Sequence, residues 1–472
     1  MADFQMTIDG KAVASDQTFG VIDPSQGRVF AQAPECSRTQ LDVAMESAAQ
    51  AFATWRRDEA LRRQALRACA AALRARAPEL GRTLTKEQGK PLAKAVGEFL
   101  GAAAWFDITA GLEIPVEVVQ DDDAKRVEVR RRPLGVVGAI TPWNFPVILA
   151  VWKIAPALLA GNTVVIKPSP FTPLSTLALG EVLREVLPPG VLNVISGGDA
   201  LGAWISTHPA VRKVSFTGSV ETGKKVAAAA APDLKRITLE LGGNDPAIVL
   251  PDVPPARIAD RLFWGAFENS GQVCSAIKRV YVHEDRYAEL LAELAQRART
   301  VVVGDGLEPG TQLGPINNRP QFERVCGLVA DAVKAGARVA AGGGPAARDG
   351  YFFQPTILGD VAEGMRIVDE EQFGPALPVL TYRDVEEAVE RANATMFGLS
   401  GSVWSSDPQR AAEIGARLEC GTVWVNQHLD ILPTAPFGGA KWSGIGVENG
   451  RWGLLGFTET LTLDIAKSTP GA

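Results

Sequence analysis

Two side chains in this sequence have the chemistry to work as a pair. Cys274 carries a thiol that attacks carbon once ionised, and Glu240 carries a carboxylate that can serve as a base. They stand 34 positions apart, at the two ends of the stretch from Ile237 to Ala276. Cys274 follows Gly271 and Gln272 and precedes Ser275, a helix-to-loop position whose backbone N–H groups would favour a thiolate. Its plain alternative is a buried structural cysteine. Glu240 is followed by Gly242 and Gly243, which let the backbone turn tightly or approach a ligand. The plain alternative there is a solvated loop carboxylate. Asn144 lies in TPWNFP, bracketed by Pro142 and Pro146 after an apolar strand. An amide held that rigidly could donate to an oxyanion, although a lone Asn in such a place is also a turn or helix cap.

Other residues suit a ligand with phosphates or hydroxyls. Lys167 ends the strand VVIK, and ligands of open parallel sheets bind at the carboxyl ends of strands. Gly218 and Gly223 in FTGSVETG give GxxxxG between a strand and a helix, which is not the usual GxGxxG. Glu371, in DEEQFGP, is followed at once by a turn of Phe373, Gly374 and Pro375, which predicts an ordered carboxylate.

The elements that must position these groups alternate. Residues 1–35 read as short strands and turns, and helices follow, the first capped by Ser37 or Thr39. Residues 114–133 alternate in polarity around the acidic turn Asp121 to Asp123, which predicts a hairpin, and its exposed edge suggests an arm covered by another chain. From Leu134 onward strands and helices alternate, as they do again from Asp245, so the fold class is α/β with parallel sheets. Thr458 to Ile465 alternates once more and suits a strand pairing with the hairpin.

Bulk properties narrow the function classes. A chain of 472 residues has room for two or three domains, and a net charge of -6 argues against a nucleic-acid partner. Five cysteines without metal-like spacing and three scattered histidines predict free thiols, a reducing compartment such as the cytoplasm, and no metal site. The polar start MADFQMTIDG predicts no signal peptide. The apolar run Val147 to Leu159 is broken by Lys153 and Pro156, so no membrane span is expected.

Taken together, PWNFP, IKPS, FTGS, LELGG, GQVC, EEQFGP and PFGGAKWSG, in this order and spacing, resemble the aldehyde dehydrogenase superfamily of the NAD(P)-dependent, non-acylating kind. The resemblance runs from about residue 7 to 465. It implies an aldehyde dehydrogenase-like fold: a Rossmann-type dinucleotide domain (1–113 and 134–242), an α/β catalytic domain (243–442), and a bridging or oligomerisation segment (114–133 and 443–472). The alternating arm implies a homodimer or a dimer of dimers. Cys274 would attack the aldehyde carbon, and Asn144 with the Cys274 N–H would hold the oxyanion. After hydride transfer, Glu240 would activate the water that hydrolyses the thioester.

By the same resemblance Lys167 and Glu371 would grip the two riboses of the cofactor, and Thr141, Pro142 and Trp143 would line its path. Ser219 would approach the pyrophosphate, Gly218 and Gly223 would give backbone room, and Phe373 would pack near the nicotinamide. Ser169, Pro170 and Leu241 complete the expected cofactor set. Pro170 stands where the family often has a Glu that binds the adenosine ribose and repels a 2′-phosphate, so NAD is favoured with NADP possible. Val447 stands where many relatives carry Arg.

The family's entry tunnel maps onto Phe145, Ile148, Leu149, Trp152 and Phe267, and onto Val273, Leu429, Ile431 and Phe437. These are apolar, and Trp152 stands where relatives that oxidise succinate semialdehyde carry an Arg. A buried carboxylate without a cation is costly, so a neutral apolar or aromatic aldehyde is expected. Glu268, near the mouth, would disfavour anionic aldehydes further if turned inward. The rivals are a CoA-acylating semialdehyde dehydrogenase, which lacks the carboxylate at the Glu240 position, a non-catalytic scaffold of the same fold, which would have no need of Cys274, Glu240 and Asn144, and a thioesterase, which would have no need of Lys167 and Glu371.

Overall fold

Five strands rich in β-branched and other apolar residues lie parallel at the centre of the first sheet, in the order Arg236–Glu240, Val211–Thr217, Val136–Ile140, Thr163–Lys167 and Leu192–Val194. The middle three are buried almost throughout, as strands covered by helices on both faces must be. The antiparallel pair Met6–Ile8 and Lys11–Val13 extends one side, meeting Leu192–Val194 at Thr7 and Val194. The other side is closed by Gly444–Ile445, antiparallel to Arg236–Glu240 with Glu240 opposite Gly444. This strand lies inside the segment 443–472 that the sequence assigned to bridging. Its backbone pairs with the edge at Leu239 and Glu240, so the segment divides between two sheets.

The second sheet runs Arg338–Ala341, Thr356–Gly359, Ala376–Tyr382, Ile277–His283, Asp245–Val249, Ser400–Trp404 and Thr422–Val425, parallel except for the first strand. A third, antiparallel sheet joins Thr458–Ala466 to Lys125–Pro133 along nine residue pairs, with Glu117–Asp121 beyond. The acidic turn is organised by Asp122, whose Oδ1 accepts the N–H groups of Ala124 and Lys125 at 2.9 Å. This computed structural model describes residues 4–468; residues 1–3 and 469–472, at the outer ends of the expected first and last segments, lie outside it. No helix among the described residues is long and apolar enough to cross a membrane.

The helix Arg38–Trp55 starts at Ser37 through a reciprocal cap with Gln40, and its buried face carries Leu41, Ala44, Met45 and Ala48 at helical spacing. The helices Glu59–Gln88 and Leu92–Gly111 pack against each other, with Leu66, Leu73, Phe99 and Phe106 fully buried.

One connection sets the geometry of the site. The first sheet ends at Glu240 and the second begins at Asp245, so only residues 241–244 separate them. Carboxyl ends of the first sheet therefore meet amino ends of the second. Asn144 and Lys167 come from the former, and Cys274 and Glu371 precede strands of the latter.

Asn162 fixes the first sheet to the last part of the chain. Its side-chain oxygen accepts from Leu134 (2.7 Å) and Gly135 (3.0 Å), and its amide donates to Ala157 (3.1 Å) and Phe457 (2.9 Å). Asn162→Ala strips the backbone groups of Leu134, Gly135 and Phe457 of this partner, while Ala157 O keeps the Asn162 N–H. It is expected to lower unfolding stability by about 3 kcal/mol, read as a lower urea midpoint with unchanged slope.

Candidate active site

The thiol is presented by a strained loop. After the helix Pro255–Phe267 the backbone takes three consecutive left-handed residues, Asn269 (φ 52°), Ser270 (φ 57°) and Gly271 (φ 74°). A Cβ on Gly271 would lie 2.3 Å from the Gly374 oxygen, so this position has no room for a side chain. Strain at the other two is offset by hydrogen bonds. Ser270 donates to Gly314 O (2.7 Å), Asn269 Nδ2 to Asn144 O (3.1 Å), and Gln272 Nε2 to Asn269 O (2.8 Å). Cys274 follows half-buried, and the Lys278 ammonium takes its carbonyl at 2.5 Å.

The sequence predicts a thiolate-favouring position, and the surroundings act the other way. The Cys274 thiol is pushed up to about 12, chiefly by burial; Lys278 opposes the shift, and Glu240, Asp245 and Glu371 add to it. At rest the group is a protonated thiol.

Asn144 is 2% exposed. Its Nδ2 donates to Gln272 O at 3.0 Å, which fixes the side chain against the loop of Cys274 and leaves its second amide hydrogen unspent. The main-chain oxygen of Asn144 accepts from Lys90 at 2.9 Å. Lys90 pairs with Glu98, whose other oxygen takes the N–H groups of Val147 (2.9 Å) and Ile148 (3.2 Å). One buried ion pair thus holds the whole segment from Asn144 to Ile148.

Glu240 ends its strand 4% exposed, not as a solvated loop carboxylate, and its Oε1 has no hydrogen-bond partner in the protein. Burial raises it well above the usual carboxylate range, the Glu448 charge adds to this, and Lys153 opposes it. Lys153 and Glu448 form a contact ion pair with side-chain exposures of 0% and 1%. Sequence reasoning missed both. The lysine left a signal, a single cation inside an apolar helical run; Glu448 left none.

A cavity of about 520 Å³ opens on Cys274 and Asn144. Pro142, Trp143, Gly218, Ser219, Leu241, Glu371 and Phe373 line it, all from the expected cofactor set. Trp143 and Phe373 meet edge to face at 5.2 Å. Ser219 caps the helix Val220–Ala230, so that helix N-terminus, a ready anion site, faces the cavity. Gly242 has no side chain to displace the Glu371 carboxylate, since a Cβ there would lie 2.1 Å from it. Thr217, Gln321, Arg324 and Trp442 also line the cavity without having been singled out in the sequence.

Five expected cofactor residues lie off this lining. Lys167 sits buried at its strand end with its ammonium on Pro168 O (3.2 Å), lowered to about 8 by burial against the opposing charges of Asp199 and Glu35. Thr141 is buried and donates its N–H to Lys167 O, Ser169 takes the N–H of Phe171, and Gly223 packs on Leu241. Pro170 does not face the cavity; it lines a separate depression with Phe19, Phe171 and Tyr351, because Pro168 and Pro170 carry the chain away from the strand end.

On its other side Cys274 packs on an apolar cluster of Leu149, Trp152, Leu399, Trp424 and Phe437, with Phe145, Ile148, Ile431 and Trp105 around it. Trp152 stacks on Trp105 (5.6 Å) and meets Phe437 edge-on (5.8 Å). Three expected tunnel residues are elsewhere. Phe267 stacks on Phe263 at 4.5 Å in the core of the second sheet, Val273 is buried outside the cluster, and Leu429 lines a different hollow with Trp264 and His428. Glu268 is neutralised by Lys94 at 3.0 Å. Leu399 and Trp424 were missed because their alternating strands read simply as core. No group of three or more His, Cys, Asp or Glu among the described residues is arranged to hold a metal ion.

Residues 12–463 match the aldehyde dehydrogenase family. The chain is 40% identical over 466 residues to retinaldehyde dehydrogenase 3 of Rattus norvegicus, covering 96% of this chain and 90% of that one. It is 40% identical over 483 residues to phenylacetaldehyde dehydrogenase of Pseudomonas fluorescens, covering 98% and 96%. Among solved structures, the NAD+ complex of an aldehyde dehydrogenase from Bacillus cereus superposes with a TM-score of 0.97 at 35% identity, covering 99% of this chain and 97% of that one.

The upward displacement of the thiol has a sign that can be measured. Only the ionised form is alkylated, so the second-order rate of Cys274 with iodoacetamide is expected to climb roughly tenfold per pH unit between pH 7 and 9. Mass mapping of the labelled peptide would assign it. A rate already flat by pH 7 would mean the thiol is ionised at rest.

Proposed function

This chain belongs to the aldehyde dehydrogenase family and is an oxidoreductase acting on aldehydes, and from that premise we propose that it converts a neutral apolar or aromatic aldehyde to the carboxylic acid through a thioester on Cys274, with NAD as hydride acceptor. The observation that carries this reading is the position of one sulfur between a cavity and an apolar cluster. Cys274 borders the cavity lined by Ser219 and Glu371 and packs on the aromatic cluster of Trp152 and Phe437.

The cavity suits a dinucleotide. A helix N-terminus at Ser219 fits a pyrophosphate, the Glu371 carboxylate fits ribose hydroxyls, and the touching Trp143 and Phe373 rings offer an apolar wall to a flat ring. When bound there, NAD accepts a hydride. The rest falls to this chain's own side chains. Cys274 gives its proton to solvent in the cavity, and the sulfur bonds to the aldehyde carbon as the C=O π electrons move onto oxygen. The oxygen, now anionic, is met by the free hydrogen of the Asn144 amide and by the Cys274 N–H. Loss of hydride from that carbon leaves an acyl group on sulfur. Glu240 then takes a proton from water, whose oxygen attacks the thioester, and the thiol and the acid are regenerated. Burial and the Glu448 charge raise Glu240 above the usual carboxylate range, which makes its ionised form the stronger base toward that water, and Lys153 opposes the shift.

Substrate choice follows from the rings. An aromatic or aliphatic tail gains burial against Trp152, Phe437 and Ile431, whereas an anionic tail meets apolar rings there, and the ammonium against the Phe145 ring, Lys90, is already paired with Glu98. Relatives named for retinaldehyde and phenylacetaldehyde agree with this choice. We also assign a homo-oligomer, because the edge strand of the three-stranded sheet and the residue before it leave Val116, Val118 and Val119 at 56%, 47% and 68% exposure. The five free cysteines accord with a reducing, cytoplasmic setting.

The test is the appearance of reduced nicotinamide absorbance with benzaldehyde, hexanal, acetaldehyde, betaine aldehyde and succinate semialdehyde, each with NAD and NADP. Benzaldehyde or hexanal with NAD is expected to give the highest kcat/KM, and Cys274→Ala to give none. Betaine aldehyde is the informative competitor, since aromatic rings also hold quaternary ammonium groups. A highest value for succinate semialdehyde would overturn the substrate assignment. Asn144→Ala is expected to lower kcat by about 10²–10³ with KM little changed, as removal of an oxyanion donor does.

A further inference from the structure

Beneath the thiol lies a cation that the mechanism above leaves unused. Lys278 belongs to the strand Ile277–His283 and is 2% exposed. Its ammonium donates to the carbonyls of Cys274 (2.5 Å) and Val273 (3.1 Å) and stands 3.5 Å from Glu371 Oε1. That carboxylate also accepts the Gly243 N–H at 3.1 Å and borders the cavity. The charged groups facing this knot are Glu240, Asp245 and Glu371, with Arg324 donating to the Glu371 main-chain oxygen at 3.1 Å and its charge also favouring the Glu371 carboxylate, less than Lys278 does. His428 is neutral, lowered to about 3 by burial, and its Nε2 donates to Ser275 O. Lys278 is thus the buried cation next to both the nucleophile's own carbonyl and the carboxylate at the cavity wall.

We propose that Lys278 is a positioning residue shared by both halves of the reaction: it holds the loop of Cys274 through its carbonyls and holds the Glu371 carboxylate aimed at the cavity. Thiol reactivity and dinucleotide binding therefore depend on one ammonium group. This rests on Cys274 as the nucleophile and Glu371 as the ribose contact. Burying a lysine is costly unless its donors are satisfied, and two carbonyls and a carboxylate satisfy this one. Without the cation, Glu371 would lose the partner 3.5 Å away that favours its charged form and fixes its aim, leaving a poorer acceptor for hydroxyl groups. The thiol would ionise less readily for the same electrostatic reason.

The experiment uses the full chain and three variants, Lys278→Gln, Glu371→Gln and the double variant. Glutamine keeps N–H donors for the loop carbonyls while removing the charge. Two quantities are read: the Kd of NAD from quenching of tryptophan fluorescence, and the iodoacetamide rate of Cys274 at pH 8. Lys278→Gln is expected to weaken NAD binding about tenfold and to slow alkylation about tenfold, one unit of displacement in each equilibrium. Adding Glu371→Gln is expected to restore part of the alkylation rate, since a repelling carboxylate is gone, but not the affinity. A merely structural lysine would give no such opposite response. Should Lys278→Gln not fold, the double variant, which loses the facing carboxylate together with the cation, is compared with Glu371→Gln alone. NAD affinity and alkylation both at the parent's level in Lys278→Gln would overturn the proposal. A Glu371→Gln variant that binds NAD like the parent would instead remove the ribose reading on which it stands.

Discussion

The ionisable groups around this site are held away from water, and that constraint shapes what surrounds them. Cys274, Glu240, Asp245 and Glu371 are each displaced toward their neutral forms by burial. Two buried lysines act against this: Lys278 under the thiol and Lys153 beside Glu240 and Glu448. An unpaired charge in such a place costs several kcal/mol, on the order of 3–5 when one partner of a buried pair is lost. The site is therefore an electrostatic unit, and its reactivity is a property of the set as much as of the sulfur.

The fold makes this arrangement possible through a short connection. With only residues 241–244 between the two parallel sheets, strand ends of opposite sense converge, and nucleophile, amide and base come from three separate elements. Precision then comes from backbone contacts. The Lys90–Glu98 pair fixes Asn144 to Ile148, the Asn269 and Gln272 side chains fix the loop before Cys274, and the backbone pairing of Phe437 with Glu448 links the apolar cluster to the ion pair.

Much of this was legible in the sequence because it rests on local chemistry. Alternating strands and helices announced the α/β class, and Pro, Gly and Asn in short motifs marked the turns that carry Asn144 and Cys274. What escaped depends on distant parts of the chain. Glu448 lies 295 positions from Lys153, and nothing local distinguishes it from a surface glutamate. Phe267 has the right character for a tunnel, but its stacking on Phe263 turns it into the core of the second sheet. Pro170 follows a strand end that faces the ligand, yet the chain has already turned away. The thiol's ionisation was misjudged because local helix-end geometry was weighed without the burial and carboxylates that other elements supply.

The central claim is that one sulfur carries the acyl group and one carboxylate releases it. Glu240→Gln should separate the two steps. Mixed rapidly with NAD and benzaldehyde, this variant is predicted to give a burst of reduced nicotinamide equal to the enzyme concentration, followed by little turnover, with the intact mass raised by a benzoyl group on Cys274. Steady turnover without a burst, or a burst with no adduct on Cys274, would contradict the account.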